Sequence, residues 1–108
     1  MATPLQKAVW KALKHIPEGR VTTYGALAAH LETDAVRAVA SAVGKNPDAP
    51  ATPCHRVVLA DGTLGGYSAK GGAETKRRLL EREGVAVKDG RIVDFGRVLY
   101  RFEDVEKG

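Results

Sequence analysis

The amino-acid sequence predicts a mainly α fold with short β-hairpins, similar to a small winged helix built on a helix-turn-helix. Two short segments with apolar residues at helical spacing flank the brief break Glu32-Thr33, which is the pattern of a helix-turn-helix. The dipeptides Asp61-Gly62 and Asp89-Gly90 each lie between short apolar runs, as in tight hairpins. The chain has 108 residues, which is the length of a single domain, residues 1–108.

The segment Thr3-Pro4-Leu5-Gln6 predicts the start of the first helix. It offers a capping hydroxyl, a proline in the first turn and a glutamine at the position that a capping box requires. Apolar residues then recur at helical spacing as far as Ile16. Pro17 and Gly19 are expected to end this helix.

The next two helices form the predicted helix-turn-helix. Either Thr22 or Thr23 can cap the second helix, which is expected over residues 24–31. The third helix is expected over residues 34–43 and ends at Gly44.

The rest of the chain reads as a proline-rich loop followed by short elements. The loop leads to Cys54 and His55. The expected elements are a first hairpin of residues 56–59 and 63–64, a last helix over 73–83, a second hairpin of 85–87 and 91–93, and a frayed tail over 103–108.

Composition and charge narrow the class of protein. The formal net charge is +4 and the sequence pI is about 9.4, which is compatible with a polyanionic partner. The single cysteine, Cys54, cannot form an internal disulfide and so predicts a reducing compartment, the cytoplasm or a nucleus. The N-terminus lacks the pattern of a secretory signal peptide, and no apolar run approaches the ~20 residues that a membrane span needs.

The third predicted helix carries a run of small side chains with a cation near each end. A helix this slim could lie against the DNA minor groove, which is only ~6 Å wide. Arg37 could then enter the base stack and Lys45 could contact a phosphate, with Ala38 and Ser41 between them.

The same small residues have a purely structural interpretation. Ala38, Val39 and Ala42 could pack a tight helix–helix core, and spacing alone favours this interpretation. Either way, an Ala-rich helix argues against a sequence-specific winged-helix transcription factor, because such proteins read base edges with Arg, Asn or Gln.

Cys54 and His55 are adjacent and form the main chemical signal of the sequence. A thiolate is a good nucleophile, and an imidazole is suited to take its proton near pH 7. Both residues could instead be structural, and no oxyanion-hole motif suggests a hydrolase. A working pair needs an acceptor that fixes the histidine tautomer, and spacing does not choose among Glu83, Glu81 and Glu74.

The motif Pro53-Cys54-His55-Arg56-Val57 resembles the acceptor site of the O6-alkylguanine-DNA alkyltransferases, also called methylated-DNA–protein-cysteine methyltransferases. Further segments resemble the family in the same order, over about residues 5–84. They are Pro17-Glu18-Gly19-Arg20-Val21-Thr22-Thr23-Tyr24-Gly25, Arg37-Ala38-Val39, Asn46-Pro47, Gly65-Gly66-Tyr67-Ser68, and Lys76-Arg77-Arg78-Leu79-Leu80 with Glu83-Gly84. The ordered set is much more specific than any one motif.

The resemblance implies the fold of the family's DNA-binding and catalytic domain, and it implies catalytic roles. Cys54 would accept the alkyl group, His55 would deprotonate it through a water, and Glu83 would orient His55. Asn46 would tie the recognition helix to the active-site loop. Tyr24 would donate to the guanine ring nitrogen N3.

The resemblance also implies the residues that contact DNA and the base. The backbone carbonyls of Cys54 and Val57 would accept from the exocyclic amine, and Ser68 would lie near O6. Tyr67 would form a wall of the pocket. Arg37 would fill the gap left by the extruded nucleotide.

The implied function is direct repair of double-stranded DNA, bound through its minor groove, by a monomer that reacts once. No metal or organic cofactor is required, and the family's usual N-terminal domain is expected to be absent. The alternative is a non-catalytic alkyltransferase-like protein that binds alkylguanine and flags it for another pathway. Such proteins carry Trp or Ala where this chain has Cys54, so the cysteine favours repair.

Overall fold

The computed structural model describes residues 2–67 and 71–102. The chain folds into helices and two-residue strands. In chain order they are α1 (Pro4–Leu13), β1 (Thr22–Thr23), α2 (Tyr24–His30), α3 (Val36–Gly44), a 3₁₀ turn (Cys54–Arg56), β2 (Val57–Val58), α4 (Gly72–Arg82), β3 (Val87–Lys88), β4 (Arg91–Ile92) and α5 (Phe95–Val98).

Helix α1 begins as the sequence predicts. The Thr3 hydroxyl accepts from the Gln6 backbone N–H at 3.1 Å, and the Gln6 side chain accepts from the Thr3 N–H at 2.9 Å, which completes a capping box. The expected end near Pro17 is wrong, because the α-helix stops at Leu13. The chain continues in tight turns that still bury Ile16, as is typical before a proline that disfavours helical geometry.

Helices α2 and α3 occupy the predicted helix-turn-helix, with shorter bounds. The Thr23 hydroxyl caps α2 by accepting from the Ala26 N–H at 3.0 Å. Helix α3 starts at Val36, two residues later than expected, because the Thr33 hydroxyl accepts from the Ala35 N–H and holds a local turn instead.

Only the second of the two predicted hairpins is confirmed. Strands β3 and β4 are antiparallel around Asp89-Gly90, whose φ values of 52° and 75° are the positive values that a two-residue I′-type connection needs. Strand β2 instead pairs in parallel with β1, joining Thr22 to Val57. The chain does turn at Asp61-Gly62, and the Leu59 N–H donates across the turn to the Thr63 carbonyl at 2.9 Å. This single bond does not extend into a ladder with β2, and Thr63 also bridges to Arg91.

Two buried clusters make up the core. The first joins α1, α2 and α3 to Cys54 and Val57, and the second joins β2, α4 and the β3–β4 hairpin. Helix α4 lies within one residue of its predicted bounds and is followed by Gly84 at φ 90°. Helix α5 was not predicted, and the predicted frayed tail over 103–108 lies outside the described residues.

The parallel pairing of β1 with β2 positions the candidate site. Strand β1 runs directly into α2, whose first residue is Tyr24, and the 3₁₀ turn that begins with Cys54 runs directly into β2. Pairing the two strands therefore brings the start of α2 beside the only cysteine. Among the described residues, no helix is both long and apolar enough to cross a membrane.

Candidate active site

Cys54 opens onto a pocket of about 360 Å³, a size in the range of small-ligand sites. Cys54 is the first residue of the 3₁₀ turn, and only 6% of its surface is exposed. The other lining residues come from α2, α3 and the segment before α4. They are Tyr24, Ala40, Val43, Gly44, Gly66 and Tyr67.

The pocket brings together three residues that the sequence analysis singled out, Cys54, Tyr24 and Tyr67. Burial raises the pKa of both tyrosines, and the negative charge of a Cys54 thiolate raises it further. A hydrogen bond with Cys54 adds to the pKa increase of Tyr67. Both phenols therefore remain protonated at neutral pH and can act as hydrogen-bond donors.

His55 is held by a carboxylate. The residue is buried, with 1% of its surface exposed, and its Nε2 lies 2.9 Å from Glu83 Oε2. When Nε2–H donates to the carboxylate, Nδ1 carries the lone pair of the neutral ring. Nδ1 is buried and has no hydrogen-bond partner among the described residues, so the geometry leaves a basic nitrogen available.

Glu83 is held in turn by Arg56. The guanidinium donates through Nε to Oε1 at 2.9 Å and through Nη2 to Oε2 at 2.6 Å, a two-point contact with the carboxylate. A third Arg56 donor, Nη1, reaches the Ile16 carbonyl at 2.7 Å. The base, its carboxylate and the arginine thus form one connected network between α4 and the 3₁₀ turn.

Burial and charge set the protonation states in this network. Burial lowers the pKa of His55 and outweighs the opposing hydrogen bond and negative charge of Glu83. For Glu83, burial alone would raise the pKa, but the hydrogen bonds from Arg56 and His55 outweigh it and the net pKa is lowered. Near neutral pH the pair is therefore a neutral imidazole facing an ionised carboxylate.

The two competing glutamates lie elsewhere. Glu74 and Glu81 both pair with Arg77 on the exposed face of α4, at helical spacings of three and four residues. In the described part of the chain, neither makes a hydrogen bond or ion pair with His55, whereas Glu83 follows the last helical residue and turns inward.

Asn46 links the end of α3 to the loop that delivers Cys54. Its Nδ2 donates to the Thr52 carbonyl at 2.7 Å, and its Oδ1 accepts from the Asp48 N–H at 3.0 Å. The same Thr52 carbonyl accepts from the Cys54 N–H at 2.9 Å. The Thr52 carbonyl oxygen therefore accepts hydrogen bonds from both the Asn46 side chain and the Cys54 backbone.

The predicted groove residues lie on the exposed side of α3, next to the pocket. Arg37, Ala38, Ser41 and Lys45 are exposed. Because side chains three and four residues apart share a helix face, the pocket-lining residues of α3 run alongside this exposed strip.

The structural interpretation of the small residues is right for Val39 and Ala42, which are buried against α1 and α2. It is wrong for Ala38, which is exposed. The close approach of α1 to α3 is also fixed by Trp10, whose Nε1 donates to the Ala42 carbonyl at 2.8 Å.

Two further predicted residues have different outcomes. The Val57 residue is fully buried and its carbonyl accepts from Lys76 Nζ at 2.7 Å, so one of its two lone pairs is already used. Ser68 lies outside the described residues.

Sequence reasoning gave no role to Lys76 or to the pocket-lining residues Ala40, Val43 and Gly44. A lysine inside an apolar-periodic helix is normally a solvated residue, and only the fold shows that Lys76 is fully buried. The described residues contain no group of three or more His, Cys, Asp or Glu side chains placed to hold a metal ion.

The comparisons with known proteins agree on one family. A family model described as "6-O-methylguanine DNA methyltransferase, DNA binding domain" matches residues 4–85. The chain is 51% identical over 83 residues to a methylated-DNA–protein-cysteine methyltransferase of Salmonella typhimurium, covering 76% of this chain and 47% of that protein. The chain thus spans about half the length of the curated relatives it matches.

Solved structures support the same assignment. A Mycobacterium tuberculosis OGT in complex with DNA has a TM-score of 0.73 and 47% identity, covering 78% of this chain and 51% of that one. S. pombe Atl1, in complex with damaged DNA containing O6-carboxymethylguanine, has a TM-score of 0.80 and 25% identity, covering 94% and 99%. From its sequence and its fold, this chain belongs to the 6-O-methylguanine DNA methyltransferase family, through that family's DNA-binding domain.

Proposed function

We propose that this chain repairs DNA by transferring the alkyl group of O6-alkylguanine to Cys54, once per molecule. The observation that carries the proposal is the placement of the Cys54 thiol in a base-sized pocket beside a His55–Glu83 pair. Relatives from the same family are named methylated-DNA–protein-cysteine methyltransferases.

The reaction requires the damaged nucleotide to leave the duplex. The buried Cys54 thiol cannot reach O6 while the guanine is stacked in the duplex, so the nucleotide rotates out of the helix and enters the pocket. The exposed strip of α3, which is Arg37, Ala38, Ser41 and Lys45, lies in the minor groove, and Arg37 occupies the space that the base leaves.

Transfer is a displacement at the alkyl carbon. The thiol proton passes to His55 Nδ1 through a bridging water, and the thiolate attacks the alkyl carbon in line with the bond to O6. The S–C bond forms as the C–O6 bond breaks, and its electron pair remains on guanine. Glu83 stabilises the imidazolium that results, as the acidic member of a catalytic triad does.

The leaving guanine carries negative charge that must be neutralised. Tyr24 lines the pocket and its raised pKa keeps its phenolic proton available for donation to the guanine N3. The thioether on Cys54 is not hydrolysed, so each protein molecule reacts only once.

We propose that the acting species is a monomer, because one Cys54 supplies the whole nucleophile. We also propose that it acts in a reducing compartment such as the cytoplasm, which suits a lone cysteine.

A second candidate function rests on the likeness to S. pombe Atl1, which covers 99% of that chain. In this case the domain would bind alkylated guanine and leave it intact for another pathway. The two functions share a pocket and a DNA-binding helix. They differ in whether the Cys54 thiol reacts.

The two candidate functions are distinguished by measuring the O6-methylguanine that remains in the DNA. A duplex with one O6-methylguanine is incubated with increasing protein, then digested to nucleosides and quantified. Repair predicts that one O6-methyldeoxyguanosine is lost for each protein molecule added, and that Cys54→Ser leaves all of it. Tight binding of the duplex with all O6-methylguanine recovered supports the second candidate and rejects the first.

A further inference from the structure

The chain continues past the part that matches the family model, and this continuation packs onto the rest of the domain. The match ends at residue 85, and residues 86–102 are called the C-terminal arm below. The arm contains β3, β4 and α5. Its buried side chains belong to both core clusters, Ile92 and Val98 to the second and Tyr100 and Phe102 to the first. The arm is therefore an integral part of the core.

The end of the arm lies beside β1. The Val21 N–H donates to the Val98 carbonyl at 2.9 Å, and the Val21 carbonyl accepts from the Tyr100 N–H at 2.6 Å. These two bonds form a parallel bridge between Val21 and Leu99. Since Thr22 pairs with β2, the short strand β1 and the residue before it are held by β2 and by the arm together.

Arg20 joins the same two segments through its side chain. Its Nε donates to the Val98 carbonyl at 3.0 Å, and its Nη2 donates to the Leu99 carbonyl at 2.7 Å. Val98 is the last residue of α5, and the carbonyls at the end of a helix have no partners within it. Hydrogen bonds from a charged donor are stronger than those from a neutral one. The guanidinium therefore binds carbonyls that α5 cannot satisfy, and it does so from the residue just before Val21.

This contact bears on the candidate site because β1 leads directly into Tyr24. Only Val21 and β1 lie between Arg20 and Tyr24, and the arm or strand pairing holds each of them. Tyr24 is the first residue of α2 and lines the pocket beside Cys54. A shift of β1 would move the phenol relative to the pocket, and a displacement of about 1 Å is enough to slow a reaction by ~10²-fold.

We propose that Arg20 is a positioning residue of the candidate active site. By joining the C-terminal arm to β1, it fixes the place from which Tyr24 enters the pocket. Arg20 acts through the strand and does not itself contact the substrate. This inference rests on the proposed function for the role of Tyr24 as a proton donor, but the placement of the phenol can be measured without DNA.

The first test follows the Tyr24 phenol in the free protein. Arg20→Met keeps an apolar stem and removes both donors. Arg97→Met is the matched control, because Arg97 belongs to the arm itself and its side chain is 74% exposed. Tyrosine ring resonances are followed by NMR from pH 8 to 12, after circular dichroism confirms folding, and are assigned with Tyr24→Phe.

Burial is the main cause that raises the pKa of Tyr24, so a loosened strand should lower it. We expect the Tyr24 titration midpoint to fall toward its ordinary pKa of 10.0 in Arg20→Met and to keep its wild-type value in Arg97→Met. Tyr67, on another wall of the pocket, should keep its midpoint in both variants. An unchanged Tyr24 midpoint in folded Arg20→Met would overturn the inference.

The second test asks whether Arg20 acts on transfer through Tyr24. Single-turnover transfer is compared on O6-methylguanine and on its 3-deaza analogue, in which a C–H group replaces N3 and leaves Tyr24 without an acceptor. We expect Arg20→Met to slow transfer about tenfold or more on O6-methylguanine, and to leave the already slow rate on the analogue unchanged. A protein that is merely less stable would lose the same factor on both substrates, and that result would overturn the inference.

A measurement on the wild type covers the case in which Arg20→Met does not fold. Amide hydrogen exchange is measured across the domain. The inference requires the arm to stay on β1 in the native protein, so the amides of Val21 and Tyr100 should exchange as slowly as those of the buried residues of α1. Exchange about tenfold or more faster than in α1 at both amides would show that the arm detaches by itself, and it would overturn the inference.

These readouts also separate the inference from the proposed function. If the Tyr24 midpoint moves in Arg20→Met but the wild type leaves O6-methylguanine intact, the positioning role stands and the repair function fails. If the wild type repairs the lesion while folded Arg20→Met keeps both the wild-type rate and the wild-type Tyr24 midpoint, the repair function stands and the positioning role fails.

Discussion

His55 Nε2 lies 2.9 Å from Glu83 Oε2, although 28 positions separate the two residues in the chain. Both oxygens of this carboxylate accept hydrogen bonds from Arg56, the residue next to His55. The orientation of the imidazole is therefore fixed from two sides, by the end of α4 and by its own neighbour. This contact decides which ring nitrogen remains free to accept a proton.

Replacing Glu83 by Gln is expected to slow transfer to Cys54 by about 10²-fold or more, a typical size for a lost general-base contribution. The amide cannot stabilise the imidazolium, and it places a donor against Arg56. We expect a loss of about 1–3 kcal/mol in the free energy of unfolding as well, because a hydrogen-bonded charge loses its partner. Single-turnover kinetics and urea unfolding measure the two effects.

Glu81→Gln is the matched control, since Glu81 pairs with Arg77 on the exposed face of the same helix. An exposed ion pair contributes ~0–1 kcal/mol, so stability should change little and the transfer rate should not change. Equal losses of rate in the two variants would remove Glu83 from the mechanism.

The free energy of unfolding should fall as the pH drops below 6.5, which is the ordinary pKa of a histidine such as His55. The pKa of His55 is lowered in the folded state, so below pH 6.5 the unfolded chain binds the proton more readily than the folded one. Glu83, whose folded pKa is also lowered, adds a loss in the same direction below its ordinary value of 4.5. Urea unfolding of the wild type and of His55→Gln between pH 7.5 and 5.5 isolates the histidine contribution. Parallel pH dependences in this window would show that His55 does not resist protonation.

Removing the Asn46 side chain should displace Cys54 by loosening its loop. Asn46→Ala deletes the 2.7 Å bond to the Thr52 carbonyl, at an expected cost of about 1–2 kcal/mol in stability, and transfer should slow with it. Asp61→Ala is the control, because it removes the carboxylate that accepts two hydrogen bonds from Thr63 in an exposed turn that does not line the pocket. If Asn46→Ala lost stability but kept the wild-type transfer rate, Asn46 would not position the thiol.

Arg37→Ala should weaken binding to lesion-containing duplex more than binding to undamaged duplex. Only the flipped state offers Arg37 a gap in the base stack. A contact of this kind is worth about 1–3 kcal/mol, which corresponds to roughly 5- to 150-fold in affinity. Arg97→Ala, on α5, removes the same charge from another exposed helix and controls for general electrostatics. Titrations at one fixed salt concentration compare both variants. Equal weakening on both duplexes would reduce Arg37 to a phosphate contact.

Local signals in the sequence predicted the local structure well. The Thr3 capping box, the Thr23 cap and the Asp89-Gly90 hairpin each depend on neighbouring residues only, and each is present. The partner of β2 was mispredicted because a tight turn at Asp61-Gly62 does not specify whether its flanking residues pair with each other. The actual partner, β1, is more than 30 positions earlier, and no local pattern encodes a pairing at that distance.

In the candidate site too, local features could be predicted from the sequence and contacts between distant residues could not. Cys54 and His55 are adjacent in the chain and are recognisable from their chemistry. Glu83 could be selected among three glutamates only through a family resemblance, because the direction in which a residue at the end of α4 points is a tertiary property. Lys76 gave no usable signal, since burying its ammonium requires three carbonyls that only the folded chain brings together.

The most direct test of the account is the intact mass of the protein after incubation with a duplex that contains one O6-methylguanine. Repair by self-alkylation predicts a gain of one methylene's mass on the wild type, mapped by peptide digestion to the segment that holds Cys54. It predicts no gain on Cys54→Ser, which should still bind the lesion. An unchanged wild-type mass, under conditions in which the protein binds this duplex tightly, would contradict repair by self-alkylation.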